Sequence, residues 1–304
     1  MKETFYSNGK LLITGEYLVL DGATAFALPT KFGQNLIVEK NADQTIKWKS
    51  FDVDGQIWFE ESISFSEIKN EMPQEAETVK ATLISILHQG YLLNPTFIND
   101  KSGHTITTQL SFPKKWGLGT SSTLINNIAQ WLQIDAFTLL NNSFGGSGYD
   151  IACAQNNNPI LYHLKHGRPI VERVTFNPSF KENIYFVYLN KKQSSKIAIA
   201  NYQNNRTKNI NKSINAINEI TLEILQANTV DSFAQAIEKH ESNISTILET
   251  TTVKKALFSD FNGQIKSLGA WGGDFILVLS EENPTSYFAS KGFETIIKYN
   301  DMIL

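Results

Sequence analysis

The stretch Trp116-Gly-Leu-Gly-Thr-Ser-Ser-Thr123 places two glycines and a run of hydroxyl side chains immediately before an amphipathic helical pattern, and no other stretch constrains the fold as much. Leu124, Ile125, Ile128, Ala129 and Leu132 recur near the period of about 3.6 residues that a helix requires, so the glycines and hydroxyls fall at its N-terminus. A helix start offers backbone N–H groups with no intrahelical acceptor, and together with the positive end of the helix dipole they favour an anion. Glycines let the backbone close around phosphate oxygens, and serine or threonine adds hydroxyl donors or a metal ligand. The same residues also suit an ordinary Gly-rich turn entering a Ser/Thr-capped helix, and the stretch by itself does not separate the two.

The rest of the chain bounds the alternatives. Its 304 residues, 41% hydrophobic and 19% charged, supply ample apolar material for a core and favour two domains over one. A formal charge of −3 gives no overall attraction to nucleic acid or to an anionic membrane. Cys153 is the sole cysteine, which excludes an intrachain disulfide and a cysteine-based zinc site and reads as a small core residue. The first eight residues lack the apolar core of a signal peptide, and no apolar run has the length of a membrane span. These features together imply a cytoplasmic globular protein, monomer or homodimer, with neither nucleic acid nor membrane as a partner.

Hydropathy patterning predicts a mixed chain. Lys10 to Leu20 is nearly continuously apolar, broken by the charged Thr14-Gly15-Glu16, and Ala25 to Leu28 opens a second buried element. Residues 34 to 66 alternate apolar and polar, with Asp54-Gly55 as a hairpin signal, and predict antiparallel sheet. A helix is expected over 77–93, and a strand over 105–112 delivers the chain to the Gly-rich turn. Further strands are expected at 159–164, 168–176, 184–189 and 275–279, with long helices around 210–224 and 230–248. Asn177-Pro178 suits a boundary between domains at 1–177 and 178–304. With no internal repeat, strands and helices mixed in two domains point to the α+β class.

Two further Gly-rich turns, Gly145-Gly-Ser-Gly148 and Gly269-Ala-Trp-Gly-Gly273, sit beside Asp150 and Asp274, while Gly9 precedes Lys10. In this order the motifs resemble the GHMP kinase superfamily, most of all its mevalonate and phosphomevalonate kinase branch, along almost the whole chain. Asn8-Gly-Lys-Leu-Leu-Ile-Thr-Gly-Glu16 is similar to the family's Pro-Gly-Lys opening, with Asn8 in place of proline. Gly117-Leu-Gly-Thr-Ser-Ser-Thr123 resembles its phosphate loop, Ser147-Gly-Tyr-Asp150 its Ser-Gly-x-Asp segment, and Lys266 to Gly273 its late Gly-rich motif, with Leu268 and Trp271 as departures. The tryptophan is expected to narrow the site.

The resemblance implies a GHMP kinase fold, with an N-terminal α/β domain like that of ribosomal protein S5 and a C-terminal ferredoxin-like α+β domain, the cleft between them holding ATP and Mg²⁺. It implies ATP contacts from Gly117, Leu118, Gly119, Thr120, Ser121, Ser122, Gly269, Gly272 and Gly273, with Ser121 as a Mg²⁺ ligand. Asp150 inherits the catalytic carboxylate role, accepting or orienting the acceptor's hydroxyl proton, and Lys10 pairs with it near the transferring phosphate. Glu16 orients the acceptor or Lys10, and Ser147, Lys191 and Lys196 join the acceptor site, where Lys192 and Arg206 add positive charge suited to a substrate phosphate. Without the resemblance, the same residues read as a surface ion pair (Lys10 and Glu16), a turn or cap (Asp150) and solvated lysines.

The family's metal-binding glutamate has no counterpart here, because Phe137-Thr-Leu-Leu-Asn-Asn142 carries no acid. The interval from Thr123 to Ser143 is also short compared with mevalonate kinases. No Walker A sequence occurs, Gly145-Gly-Ser-Gly-Tyr149 lacks the final glycine of a nucleophile elbow, and His163 and His166 read as turn residues. The expected activity is ATP-dependent phosphorylation of a small hydroxyl or phosphate acceptor, mevalonate or phosphomevalonate first. Sugar or homoserine phosphorylation, diphosphomevalonate decarboxylation and a non-catalytic binding role are the alternatives.

Overall fold

The computed structural model describes residues 2–70, 78–98, 102–192, 195–204 and 210–304. Its strands are β1 (Lys2–Thr14), β2 (Ala25–Asn41), β3 (Thr45–Phe51), β4 (Ile57–Ser64), β5 (Gly103–Leu110), β6 (Ile160–Lys165), β7 (Arg168–Arg173), β8 (Ile184–Tyr188), β9 (Gln264–Ser267), β10 (Phe275–Leu279) and β11 (Ile296–Lys298). The chain forms two compact units that are discontinuous in sequence, and residue 177 lies inside the second. The first comprises Met1–Gly9, Phe32–Lys114 and Leu118–Gln155; the second comprises Lys10–Lys31, Lys115–Gly117 and Asn156–Leu304. β1, which pairs with β2, and β2 itself each run from one unit into the other.

In the first unit, the alternation of residues 34–66 yields β3 and β4 as an antiparallel pair closed by the turn at Asp54-Gly55, where Gly55 has φ +78°. Beyond residues 34–66 the sheet is mixed: β5 pairs antiparallel with β2 but parallel with β3. Alternation reports which face is buried and says nothing of strand direction, so a non-local parallel pairing leaves no mark in it. Helices Val79–Leu93, Thr120–Leu132 and Ala136–Ser143 pack on this sheet through Leu83, Leu87, Ile125, Ile128, Leu132 and Leu139, with Trp48 and Ile106 from the strands. Burying these side chains contributes roughly 1.5–3 kcal/mol each, which fixes the helix beginning at Thr120 on its sheet.

In the second unit, Ala25–Ala27 of β2 pair with β6, and β6 pairs with β7. His166, with φ +50°, occupies the β6–β7 turn. A separate antiparallel sheet has the order β11-β8-β10-β9. In chain order it reads strand, helices, two strands, helix, strand, with the first and third strands central, which is the ferredoxin-like arrangement. Its buried face meets Val253, Phe258, Phe261 and Phe288. Helices Ile210–Gln226 and Val230–Leu248 follow the expected periodicity, burying Ile217, Ile220 and Ile224 on one and Phe233, Ile237 and Ile244 on the other. Among the described residues, no helix is long and apolar enough to cross a membrane.

Candidate functional site

In the first unit the phosphate-loop residues stand at the start of helix Thr120–Leu132. Gly119 is its N-cap in the left-handed region, φ +98°, with no side-chain capping bond. Elsewhere Ser64, Thr78, Asp135, Thr229 and Thr252 each cap a helix through a side-chain oxygen. A glycine cap therefore leaves the first-turn N–H groups without the side-chain acceptor that other helices of this chain provide. The hydroxyls divide the work. Ser122 donates to the Gly119 carbonyl at 2.9 Å, and Thr123 donates to Gln34 Oε1 at 2.8 Å, while Ser121 is exposed. Leu118 is an apolar anchor, fully buried.

A buried polar brace that the sequence did not disclose seats this helix. Ser7 donates to Asn127 Oδ1 at 2.7 Å, Asn126 donates to Ser7 Oγ at 2.8 Å, and Asn127 donates to the Gln34 carbonyl at 2.9 Å. Every link joins the helix to β1 or β2, so the loop's position is tied to the sheet by hydrogen bonds that burial makes costly to lose.

Asp150 lies in the same unit, in the first turn of helix Tyr149–Ala154, whose N-cap Gly148 is also left-handed at φ +87° without a side-chain cap. The half-buried carboxylate accepts from the Ile151 N–H at 3.1 Å. Ser147 is half-buried in the bend just before.

In the second unit, Lys10 and the Gly117 end of the loop meet: Lys10 Nζ donates to the Gly117 carbonyl at 3.2 Å. Segment 115–117 is held by aromatic packing, with Trp116 edge-on to Phe275 at 5.4 Å and Tyr188 Oη donating to the Lys115 carbonyl at 3.0 Å. Gly117 has φ +71°, and a Cβ there would lie 2.4 Å from the Asp274 carboxyl carbon. Gly117→Ala is therefore expected to cost about 2 kcal/mol of stability, measured by urea unfolding, since both backbone strain and the collision must be absorbed. Gly15 is equally constrained, at φ +87° with its Cβ position 2.7 Å from Ala25 Cα.

The late Gly-rich turn belongs to this unit. Gly269 and Gly272 have φ +67° and +82°, and Gly273 is buried. The two departures from the family pattern have structural partners. Leu268 is buried, and Trp271 is tied back by its backbone N–H to Tyr17 Oη at 3.0 Å and by its indole N–H to the Thr251 carbonyl at 3.3 Å.

Glu16 differs from the sequence expectation of a charged break between apolar stretches. It is 2% exposed, and its partner is Lys266, whose Nζ lies 2.5 Å from Glu16 Oε1 and also donates to the Ser267 carbonyl at 2.8 Å. His240 Nε2 lies 3.2 Å from Glu16 Oε2 without hydrogen-bond alignment, and Glu241 Oε1 is 3.7 Å from Lys266 Nζ. Burial works against the charged form of Glu16, yet the Lys266 ammonium beside it holds its carboxyl below the usual range. Burial, aided by the Lys266 ammonium, holds His240 below the ordinary imidazole value. Burial pushes Glu241 up to about 7, Lys266 opposing and Glu16 reinforcing the shift.

An acid whose folded pKa is raised loses stability as pH rises from its unfolded value to its folded one. Wild-type protein is therefore expected to lose stability relative to Glu241→Gln between about pH 4.5 and pH 7, by roughly 3 kcal/mol in all, with no further change above. Paired denaturant titrations across that range measure the difference.

Lys191 has an exposed side chain, and its carbonyl accepts the Asp274 N–H at 2.7 Å. Lys196 lies in helix Ser195–Asn204, while Arg206 falls outside the described residues. Among the described residues, no three His, Cys, Asp or Glu side chains cluster as a metal site, and helix Ala136–Ser143 carries no acid. His240 and Glu241 escaped the sequence reading.

No family model matches the chain, and no curated protein matches it by sequence. Solved structures do match in three dimensions. Methanococcus jannaschii mevalonate kinase superposes with a TM-score of 0.72 at 14% identity, covering 97% of this chain and 96% of the kinase. Lactococcus lactis galactokinase in complex with galactose gives a TM-score of 0.73 at 14% identity, covering 98% and 92%. Streptococcus pneumoniae phosphomevalonate kinase in complex with phosphomevalonate and AMPPNP gives 0.70 at 15% identity, covering 97% and 99%. Near-complete coverage of both partners in each case extends the likeness to the whole chain, which therefore has the fold of the GHMP kinases.

Proposed function

We propose that this protein is an ATP-dependent small-molecule kinase of the cytoplasm that transfers the γ-phosphoryl group of ATP to mevalonate or phosphomevalonate. The observation that carries the reading is the glycine-capped start of helix Thr120–Leu132, whose first-turn N–H groups lack a side-chain acceptor. It suits a polyphosphate for the physical reason that helix starts suit anions generally. The resemblance of the Gly15-Glu-Tyr-Leu-Val-Leu20 segment to the mevalonate and phosphomevalonate branch supports an acceptor of that class.

Phosphoryl transfer asks the protein mainly to position the reactants and to neutralise charge. In this reading Gly117 to Ser122 and the turn of Gly269, Gly272 and Gly273 hold the nucleotide, and Lys10 offsets charge on the transferred group. Asp150 accepts the proton of the acceptor oxygen as that oxygen bonds to phosphorus and ADP leaves. Ser147, Lys191 and Lys196 contribute to the acceptor site, and Glu16 orients the acceptor or Lys10. Ser121, exposed in the first turn, offers the hard oxygen that a magnesium ion takes. Magnesium, when bound, neutralises part of the polyphosphate charge.

An assay following ADP release with mevalonate, phosphomevalonate, diphosphomevalonate, homoserine and common sugars tests this. ADP formation that depends on mevalonate or phosphomevalonate is the expected result. Carbon dioxide release from diphosphomevalonate would favour decarboxylation instead, and ADP formation with a sugar alone would move the acceptor to another class.

A further inference from the structure

Asp274 stands in a place where its backbone and its side chain both call for explanation. It is a non-glycine residue at φ +54° in a turn otherwise served by glycines, a conformation costly for an ordinary side chain and informative where it persists. The backbone is pinned on both sides, its N–H donating to the Lys191 carbonyl at 2.7 Å and its carbonyl accepting from Leu189 at 2.8 Å. The carboxylate is directed between two glycine turns. Its Oδ2 lies 2.5 Å from where a Cβ of Gly117 would be and 3.8 Å from where one of Gly269 would be. It thus fills the room that those glycines leave, beside the carbonyl that accepts from Lys10.

A carboxylate at the first glycine of a phosphate loop repels polyphosphate oxygens unless a cation stands between them. Lys10, which donates to the Gly117 carbonyl, carries a single positive charge, less than the negative charge of a triphosphate alone. A divalent cation bound by one or two carboxylates and the substrate's own phosphates resolves the conflict, and that is the usual coordination of Mg²⁺ at nucleotide sites. Resting on the kinase reading above, we propose that Asp274 is a ligand, direct or through water, of the Mg²⁺ that accompanies ATP. It thereby supplies, from the late Gly-rich turn, a carboxylate that helix Ala136–Ser143 does not carry.

Calorimetric ATP titrations with Mg²⁺ and with EDTA, on wild type, Asp274→Asn and Asp274→Gly, test this. Asparagine tolerates the left-handed conformation and keeps the shape, and glycine relieves the strain, so both variants are expected to fold. The wild type is expected to bind ATP more tightly with Mg²⁺. Both variants should lose at least tenfold in Mg²⁺-ATP affinity while binding metal-free ATP as well as the wild type or better. Water-proton relaxation with Mn²⁺-ATP should weaken in parallel. If Asp274 only braces the Gly117 turn, asparagine will behave as wild type and glycine will weaken ATP binding equally with and without metal; that pattern overturns the proposal. Wild-type protein that binds no ATP in either buffer would instead remove the kinase reading, and this assignment with it.

Discussion

Asp150→Asn is expected to lower acceptor-dependent ADP formation by about 10²–10⁴-fold, the range that a positioned general base contributes. The substitution isolates the chemistry because an asparagine Oδ1 still accepts the Ile151 N–H, now at 3.1 Å from the carboxylate, and so preserves the start of helix Tyr149–Ala154. What it removes is the negative charge and the site for the proton. ATP affinity, measured by calorimetry, should stay within about twofold of wild type, since an uncharged isostere at a catalytic position leaves ground-state binding of the nucleotide largely intact. Equal loss of turnover and of ATP affinity would make Asp150 a structural residue of the loop instead.

The largest expected effect on stability comes from Lys266→Met. Lys266 is fully buried and is the cation between Glu16 and Glu241, so methionine leaves the Glu16 carboxylate buried without its partner. Removing one member of such a pair costs about 3–5 kcal/mol, because the desolvation of the remaining charge is no longer offset. The thermal midpoint should fall by roughly 6–12 °C. Adding Glu16→Gln to Lys266→Met should recover part of the loss, as neutralising the stranded carboxylate removes its penalty. A double variant no more stable than Lys266→Met alone would mean that packing, and not the unpaired charge, sets the cost.

Much of this architecture was written locally. The helix over 120–132 and the strand over 275–279 were legible because one shows a 3.6-residue stripe and the other a short apolar run that follows a Gly-rich turn. The parallel pairing of β3 with β5 was not, since pairing direction depends on contacts remote in sequence. The site divides in the same way. Loop glycines, Lys10 and Asp150 lie within recognisable short motifs, whereas the partner of Glu16 is 250 positions away in Lys266. His240 and Glu241 did leave a signal. They continue the stripe of Phe233, Ala236, Ile237 and Ile244, so two ionisable residues occupy the buried face of an amphipathic helix, where charge survives only with a partner. Asp274 was visible as an acid beside glycines, but its direction toward Gly117 depends on a left-handed backbone that no local pattern encodes.

Phosphorus NMR of ATP incubated with the protein and either mevalonate or phosphomevalonate tests the kinase reading most directly. The predicted result is a new phosphomonoester or diphosphate resonance on the acceptor, appearing in step with ADP and absent with Asp150→Asn. An unchanged ATP spectrum with both acceptors, or ADP accompanied only by inorganic phosphate, would contradict it.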